Sequence, residues 1–255
     1  MTSSKITADA IRRMKHCESI AALTAYDYPM ARMLDDCGVP LLLVGDSLGM
    51  VVLGLPDTTG VTMDDMLHHT RAAARAQPRA LLAADLPANS YRTQAEALAN
   101  SHRLVEAGAE AVKAEGGLEI CEYVRAIVSE GIPFLGHLGM LPQKVKEEGG
   151  YKIKGRKPDE KTRLIDDAYA LADAGAFAIV LELVEPAVAA ELTSTLSIPT
   201  IGIGSGPNCD GQILVTPDLW ATSPDFIPKH VHPNKQVKRE METTITDWMK
   251  LIGNP

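Results

Sequence analysis

Four times in this chain of 255 residues a short apolar run closes on a carboxylate. The runs are Leu43-Val-Gly-Asp-Ser-Leu-Gly49, Leu81-Leu-Ala-Ala-Asp85, Ala111-Val-Lys-Ala-Glu115 and Phe177-Ala-Ile-Val-Leu-Glu182. Each sits between helix-like stretches. Strands of a parallel sheet are covered on both faces and read as continuous apolar runs. Acids that close such strands gather at one end of the sheet, where the loops build a site.

Further runs extend the pattern. Strands are expected at Ile20–Ala25, Pro40–Gly45, Ala80–Asp85, Ala111–Glu115, Pro133–His137, Ala178–Glu182, Thr200–Gly204 and Ile213–Val215. Amphipathic stretches lie between them at Thr62–Ala76, Thr93–Ala107, Leu118–Ser129, Asp159–Ala174 and Pro186–Leu196. Thr62 with Asp65 and Thr93 with Glu96 have capping-box spacing, and Gly108, Gly131 and Gly175 stand where helices stop. Alternating strand and helix periods imply βα units and a parallel sheet. Eight such units favour a closed (β/α)8 barrel, an α/β fold that needs roughly 250 residues, so one domain over 1–255 is expected. Val237–Leu251 reads as an extra C-terminal helix.

Composition narrows the function. A formal net charge of −8 leaves no basic surface for nucleic acid or anionic membranes. No apolar run approaches the ~20 residues that span a bilayer. The start, Met1-Thr-Ser-Ser-Lys-Ile-Thr7, lacks the apolar core of an export signal, so a cytoplasmic location is expected. Cys17, Cys37, Cys121 and Cys209 are widely spaced, which suits reduced structural thiols rather than a zinc cage.

The strand-end acids carry the chemistry. Asp46, Asp85 and Glu115 offer the oxygen donors that Mg2+ takes together with substrate and water. Any one of them could instead cap a helix or pair with a cation, but three in one barrel mouth repel each other unless a cation sits among them. Lys113 and Glu115 are two apart on one strand and share a face. Lys113 could hold a substrate carboxylate, or form a buried ion pair with Asp85 or Glu115. Glu182 stands across the barrel as a base, a further ligand or a cap. His137 ends a glycine-flanked strand and is either a ligand contact or a core histidine; His68, His69 and His102 receive no role.

Two connections are long, Ser47–Val61 and Leu138–Pro158, and loops of that length in a compact domain are commonly functional. Gly149-Gly-Tyr-Lys-Ile-Lys-Gly-Arg156 has glycine hinges and three cations, as a lid over an anionic substrate would, or as a solvated surface loop would. Gly202-Ile-Gly-Ser-Gly206 is not a dinucleotide site, because Pro207 stops a helix from starting behind it. A tight turn is expected there, with an anion-binding nest as the alternative.

Several motifs occur in order between about Ile20 and His230. They are Thr24-Ala-Tyr-Asp-Tyr-Pro29, Val44-Gly-Asp-Ser-Leu-Gly-Met-Val-Val-Leu-Gly54, Gly136-His-Leu-Gly139, Gly149-Gly-Tyr-Lys152, Gly175-Ala-Phe-Ala-Ile-Val-Leu-Glu182 and Ile198-Pro-Thr-Ile-Gly-Ile-Gly204. Together they resemble the ketopantoate hydroxymethyltransferase family. The resemblance implies a barrel of the phosphoenolpyruvate/pyruvate superfamily type. It implies transfer of a one-carbon unit from 5,10-methylenetetrahydrofolate to 3-methyl-2-oxobutanoate, giving ketopantoate for pantothenate and coenzyme A synthesis. It places Mg2+ on Asp46, Asp85 and Glu115, keto-acid contacts on Asp46, Ser47, Asp85, Lys113 and His137, and the proton acceptor on Glu182. It also implies a homo-oligomer, a decamer of two stacked pentamers.

The chemistry of the residues agrees. Bond formation at C3 of a 2-oxo acid needs an enolate, which a chelating metal and a lysine stabilise. The chain departs from the family pattern at Ala88-Asn89, which stand where Phe-Gly is usual, at Ala114, at Gly60 and at Leu183-Val-Glu185. Another enolate enzyme, a metal-dependent lyase, is the competing activity, and a catalytically silent binding paralogue is the competing class.

Overall fold

The computed structural model describes residues 4–224 and 226–253. Met1–Ser3, part of the start read above as lacking an export signal, lie outside them. The chain forms two compact units, one up to Ile213 and one from Leu214.

Eight strands close a parallel barrel in chain order. They are β1 (Ile20–Thr24), β2 (Leu41–Val44), β3 (Leu81–Asp85), β4 (Ala111–Glu115), β5 (Phe134–Gly139), β6 (Ala178–Glu182), β7 (Thr200–Ile203) and β8 (Gly211–Leu214). The barrel helices are α1 (Tyr28–Asp36), α2 (Met63–Ala74), α3 (Gln94–Glu106), α4 (Cys121–Ser129), α5 (Pro158–Asp173) and α6 (Pro186–Thr195). The expected strands thus all form; β5 runs two residues beyond its expected end, and β8 starts two residues before its apolar signal. Gly211 hides that start: a Cβ there would stand 2.2 Å from the carbonyl oxygen of Ile20. The closing strand needs a glycine where a β-branched residue would have advertised it.

Helix ends obey their local chemistry. Thr62 and Asp65 form a reciprocal capping box at the start of α2. At α3 only half of the box forms. Thr93 accepts from Glu96 N, but Glu96 Oε2 accepts from Arg92 N, one residue upstream of the cap. Gly108, Gly131 and Gly175 follow α3, α4 and α5 with positive φ, as helix-stopping glycines do.

Alternate residues of each strand face the barrel axis, which sorts the interior by height. Ile20, Ala22, Leu41, Leu43, Leu81, Ala83, Ala111, Leu135, Ala178, Val180, Ile201 and Ile213 form one buried apolar cluster. Ala8 and Ile11 of the short helix Ala8–Arg13 complete it. Lys5 and Ile6 bind carbonyls of Pro78, Arg79 and Ala80, just before β3, so this segment covers the strand-starting end. The same inward rows continue upward to Asp85, Lys113, Glu115, His137 and Glu182. Dry packing below and charged groups above follow from two-residue periodicity alone.

The second unit holds a short helix, Thr216–Leu219, and α7 (Lys235–Leu251). The extra helix is present, two residues longer than expected. Its apolar side, Met241, Ile245 and Trp248, is exposed. Among the described residues no helix is long and apolar enough to cross a membrane. All four cysteines are free.

Candidate active site

Register brings the strand-end groups to one level. Asp85 of β3 pairs with Lys113 of β4, and Glu115 of β4 pairs with His137 of β5. Asp46 follows β2 by two residues after Gly45. A side chain at Gly45 would meet Ser47 Oγ at 2.8 Å, so the turn that presents Asp46 needs a glycine. Asp46, Asp85, Lys113, Glu115 and His137 are all buried. Glu182 is nearly so, its side chain 15% exposed.

On the β3 side the groups are partnered. Lys113 Nζ donates to Asp85 Oδ1 at 2.7 Å, and Asp46 N donates to Asp85 Oδ2 at 3.0 Å. Of the two readings open for Lys113, the buried ion pair with Asp85 is the one formed. Burial disfavours the ammonium, yet Asp85, Asp46 and Glu115 outweigh it and hold the Lys113 pKa above its ordinary value. Ser47 Oγ lies 2.8 Å from Tyr26 OH, and His69 Nδ1 lies 2.7 Å from the Tyr26 carbonyl. His69 thus has a scaffolding contact that its helical position did not disclose.

On the β4–β6 side a buried imidazole is crowded between two acids. His137 Nε2 lies 3.3 Å from Glu182 Oε2 and its Nδ1 3.7 Å from Glu115 Oε1. Neither nitrogen meets hydrogen-bond geometry. Burial, helped by Lys113, pushes the His137 pKa well below its usual value, so the ring is neutral. Burial first, then the Asp46 charge, raises Glu115 well above the carboxylate range. Asp46 rises to about 7, through burial and then Asp85, against the opposing pull of Lys113.

The backbone around Glu182 is held under strain. Leu183, directly after it, has φ +47°, an unusual conformation for a branched side chain. Gly139 packs against the same place: a Cβ there would stand 2.2 Å from the Glu182 carbonyl oxygen. Met140 N donates to that oxygen at 2.7 Å.

Sequence reasoning missed Gln143, in the turn Pro142–Lys144 after β5. Its Nε2 donates to Asp46 Oδ2 at 2.8 Å and its backbone N to Glu115 Oε2 at 3.0 Å. A glutamine carries no period and no charge signal, and its partners lie far away in sequence. The cationic loop carries Tyr151 beside the site: burial first, then the charges of Glu182, Asp46 and Glu115, push its hydroxyl up to about 12. Lys154 pairs with the Glu148 carboxylate, Lys152 donates to the Glu148 backbone carbonyl, and Arg156 Nε reaches Glu185 at 3.0 Å. The glycine run after β7 is a tight turn. Ser205 Oγ donates to Leu181 O and accepts from Val184 N.

The donor set is all oxygen, and four acids, Asp46, Asp85, Glu115 and Glu182, face one ammonium. That excess suits a hard divalent cation. Among the described residues no three His, Cys, Asp or Glu side chains converge as a finished cage. Mg2+ asks for less, since it takes one or two carboxylates and fills its shell with water and substrate.

The family model for ketopantoate hydroxymethyltransferase matches residues 5–254. This chain belongs to that family. Proteins named 3-methyl-2-oxobutanoate hydroxymethyltransferase are close relatives. The one from Carboxydothermus hydrogenoformans is 51% identical over 97% of this chain and 91% of its own length. The one from Acetivibrio thermocellus is 48% identical over 100% and 90%. The one from Pyrobaculum aerophilum reaches 56% over 77% and 76%. Membership makes the chain one of a family of transferases. Among solved structures, a putative phosphonomutase from Burkholderia cenocepacia superposes with TM-score 0.66, at 14% identity over 96% of this chain and 99% of that one. 2,3-dimethylmalate lyase, a PEP mutase/isocitrate lyase superfamily member, gives 0.59 at 16% identity over 94% and 98%. The fold is therefore a closed parallel barrel like that of these structures.

Proposed function

We propose that the protein transfers a hydroxymethyl group from 5,10-methylenetetrahydrofolate to 3-methyl-2-oxobutanoate, forming ketopantoate on the way to pantothenate and coenzyme A. The observation that carries this reading is the cluster of Glu115, Glu182 and a buried His137 whose nitrogens meet no hydrogen-bond geometry, beside the Asp85–Lys113 pair, in a chain about half identical to proteins of that name. Asp46, Asp85 and Glu115 would hold Mg2+. When bound, the ion supplies positive charge to the keto and carboxylate oxygens of a 2-oxo acid.

The residues divide the remaining tasks. Lys113, kept charged by its acidic neighbours, holds the substrate carboxylate side together with the Asp46–Ser47 turn. Glu182 removes the proton from C3; its rim position lets it reach a substrate seated on the buried groups. Neutral His137 lies against Glu182 and can donate to it or to the keto acid, which would satisfy a buried ring that otherwise lacks good hydrogen bonds. The apolar floor beneath excludes water from the carbanion.

A groove of about 340 Å3 opens beside this site, lined by Asn89, Tyr91, Arg92, Gln143, Lys144 and Lys146 among others. One aromatic wall and a cationic rim suit a folate, which presents a ring system and carboxylates. Lys144 and Lys146 pair with Glu119 and Asp57 there, while Arg92 meets no carboxylate side chain at ion-pair distance among the described residues. The exposed apolar side of α7 supports a homo-oligomer, for which we take the decamer of two pentamers. Four free thiols support a reducing, cytoplasmic setting.

The test is NMR of the purified protein with 3-methyl-2-oxobutanoate, Mg2+ and 5,10-methylenetetrahydrofolate, with and without chelator. Ketopantoate appearing only with metal and folate is expected. Carbon–carbon cleavage of the keto acid without folate would favour a lyase and refute the transfer.

A further inference from the structure

Gln143 reaches both the cation-site acids and the groove beside them. Its backbone N–H goes to Glu115 Oε2 at 3.0 Å, while Nε2 serves Asp46 Oδ2 at 2.8 Å and the Leu86 carbonyl at 3.0 Å. Its Oε1 accepts from Tyr91 OH, which also lies 3.3 Å from the Glu115 carbonyl. The side chain thus ties the loop after β5 to the loops after β2 and β3, and the backbone N–H adds the end of β4.

The chemistry of these partners fixes which way the amide points. Both acceptors facing Nε2 are oxygens with no hydrogen to give, and the hydroxyl facing Oε1 is a donor. A flipped amide would set oxygen against the Asp46 carboxylate and the Leu86 carbonyl. The choice of glutamine also matters electrically. A lysine at this place would neutralise Asp46 and compete with any incoming cation, as Lys113 does at Asp85. A neutral amide orders two acids and leaves their charge in place. With Oδ2 of Asp46 and Oε2 of Glu115 held by Gln143, the other oxygen of each carboxylate remains to face a ligand.

We propose that Gln143 is a positioning residue of the cation site: its side chain and backbone hold Asp46 and Glu115 in place, and Tyr91 holds the amide in its working orientation. The inference rests on the cation reading above. Partners of this kind around a metal site typically tune affinity by about 10–100-fold.

The test uses Mn2+ as probe, its free fraction read by electron paramagnetic resonance on the full-length protein without substrate. Variants are Gln143→Met, which keeps shape but no hydrogen bond, Gln143→Ala, Tyr91→Phe and the double variant Gln143→Met/Tyr91→Phe. Gln143→Met and Gln143→Ala are expected to weaken Mn2+ about tenfold or more, with Tyr91→Phe in between. Tyr91→Phe should add nothing in the Gln143→Met background, because Tyr91 acts through the amide. A purely packing role would separate Met from Ala, lower the melting temperature and leave the Mn2+ affinity of Gln143→Met at the wild-type value; that result overturns the proposal. If the Gln143 variants do not fold, Tyr91→Phe decides alone, and wild-type affinity in it overturns the proposal too. Wild-type protein that binds no Mn2+ would overturn both this inference and the cation reading, so the two failures are distinguishable.

Discussion

The two sides of the barrel mouth are built from the same kinds of residue and are treated oppositely. On the β3 side, Asp85 accepts from Lys113 and from the Asp46 backbone, and its charge is matched. On the β4–β6 side, His137 lies 3.3 Å from Glu182 and 3.7 Å from Glu115 with neither ring nitrogen in hydrogen-bond geometry, and burial drives Glu115 and His137 toward neutrality. A matched pair is suited to holding a substrate anion in place. Mismatched groups are suited to moving a proton, since strongly perturbed acids and bases cluster where chemistry happens. On the proposed function, one barrel mouth would separate binding from reaction by where it places a single lysine.

The contrast can be broken from either side. Glu182→Gln should leave Mn2+ binding intact and cut turnover by about 10²–10⁴. Steady-state kinetics with wild-type turnover would remove Glu182 from the reaction. Lys113→Met should instead act on stability, because it leaves Asp85 buried and unpaired. Denaturant unfolding should show a loss of about 3–5 kcal/mol. Gly139→Ala presses on the Glu182 carbonyl from a backbone with φ +98°, and a loss of about 1–3 kcal/mol with misplacement of Glu182 is expected.

Acidity sharpens the contrast further. Asp46 is raised to about 7 in the fold, above an ordinary carboxylate. A raised acid binds its proton more tightly when folded, so its contribution to stability is present at low pH and is lost as pH rises through about 7. Cation binding needs the ionised form and runs the other way. Mn2+ affinity should therefore increase from pH 6 toward pH 8 with release of protons, read by calorimetry in buffers of different ionisation enthalpy. A pH-independent affinity without proton release would contradict the placement of Asp46. The smallest effect concerns Asn89, at φ +66° in the loop after β3. Asn89→Ala should destabilise by about 1 kcal/mol and Asn89→Gly should not, because left-handed backbone disfavours a Cβ.

The same position shows what was legible in the sequence. Asn89 stands where the resembling family has glycine, and its positive φ explains why asparagine, the side chain most tolerant of that conformation, can replace it. The strands and the height of Asp85, Lys113, Glu115 and Glu182 followed from two-residue periodicity, which needs no knowledge of distant contacts. What escaped depends on such contacts. Gln143 meets Asp46 across 97 positions, through a turn whose path no local signal encodes. The cations of Lys152, Lys154 and Arg156 were visible, but their commitment to Glu148 and Glu185 was not, because loop cations advertise charge and not direction. Thr93 and Glu96 had the spacing of a capping box, yet one backbone N–H earlier won the acid.

The account stands most directly on deprotonation at C3. The decisive measurement is proton–deuterium exchange at C3 of 3-methyl-2-oxobutanoate in deuterated buffer, followed by NMR without folate, comparing wild-type protein with Glu182→Gln, each with Mg2+ or chelator. Exchange that needs both the metal and Glu182 is expected. Exchange that survives chelation, or that proceeds at the wild-type rate in Glu182→Gln, would contradict it.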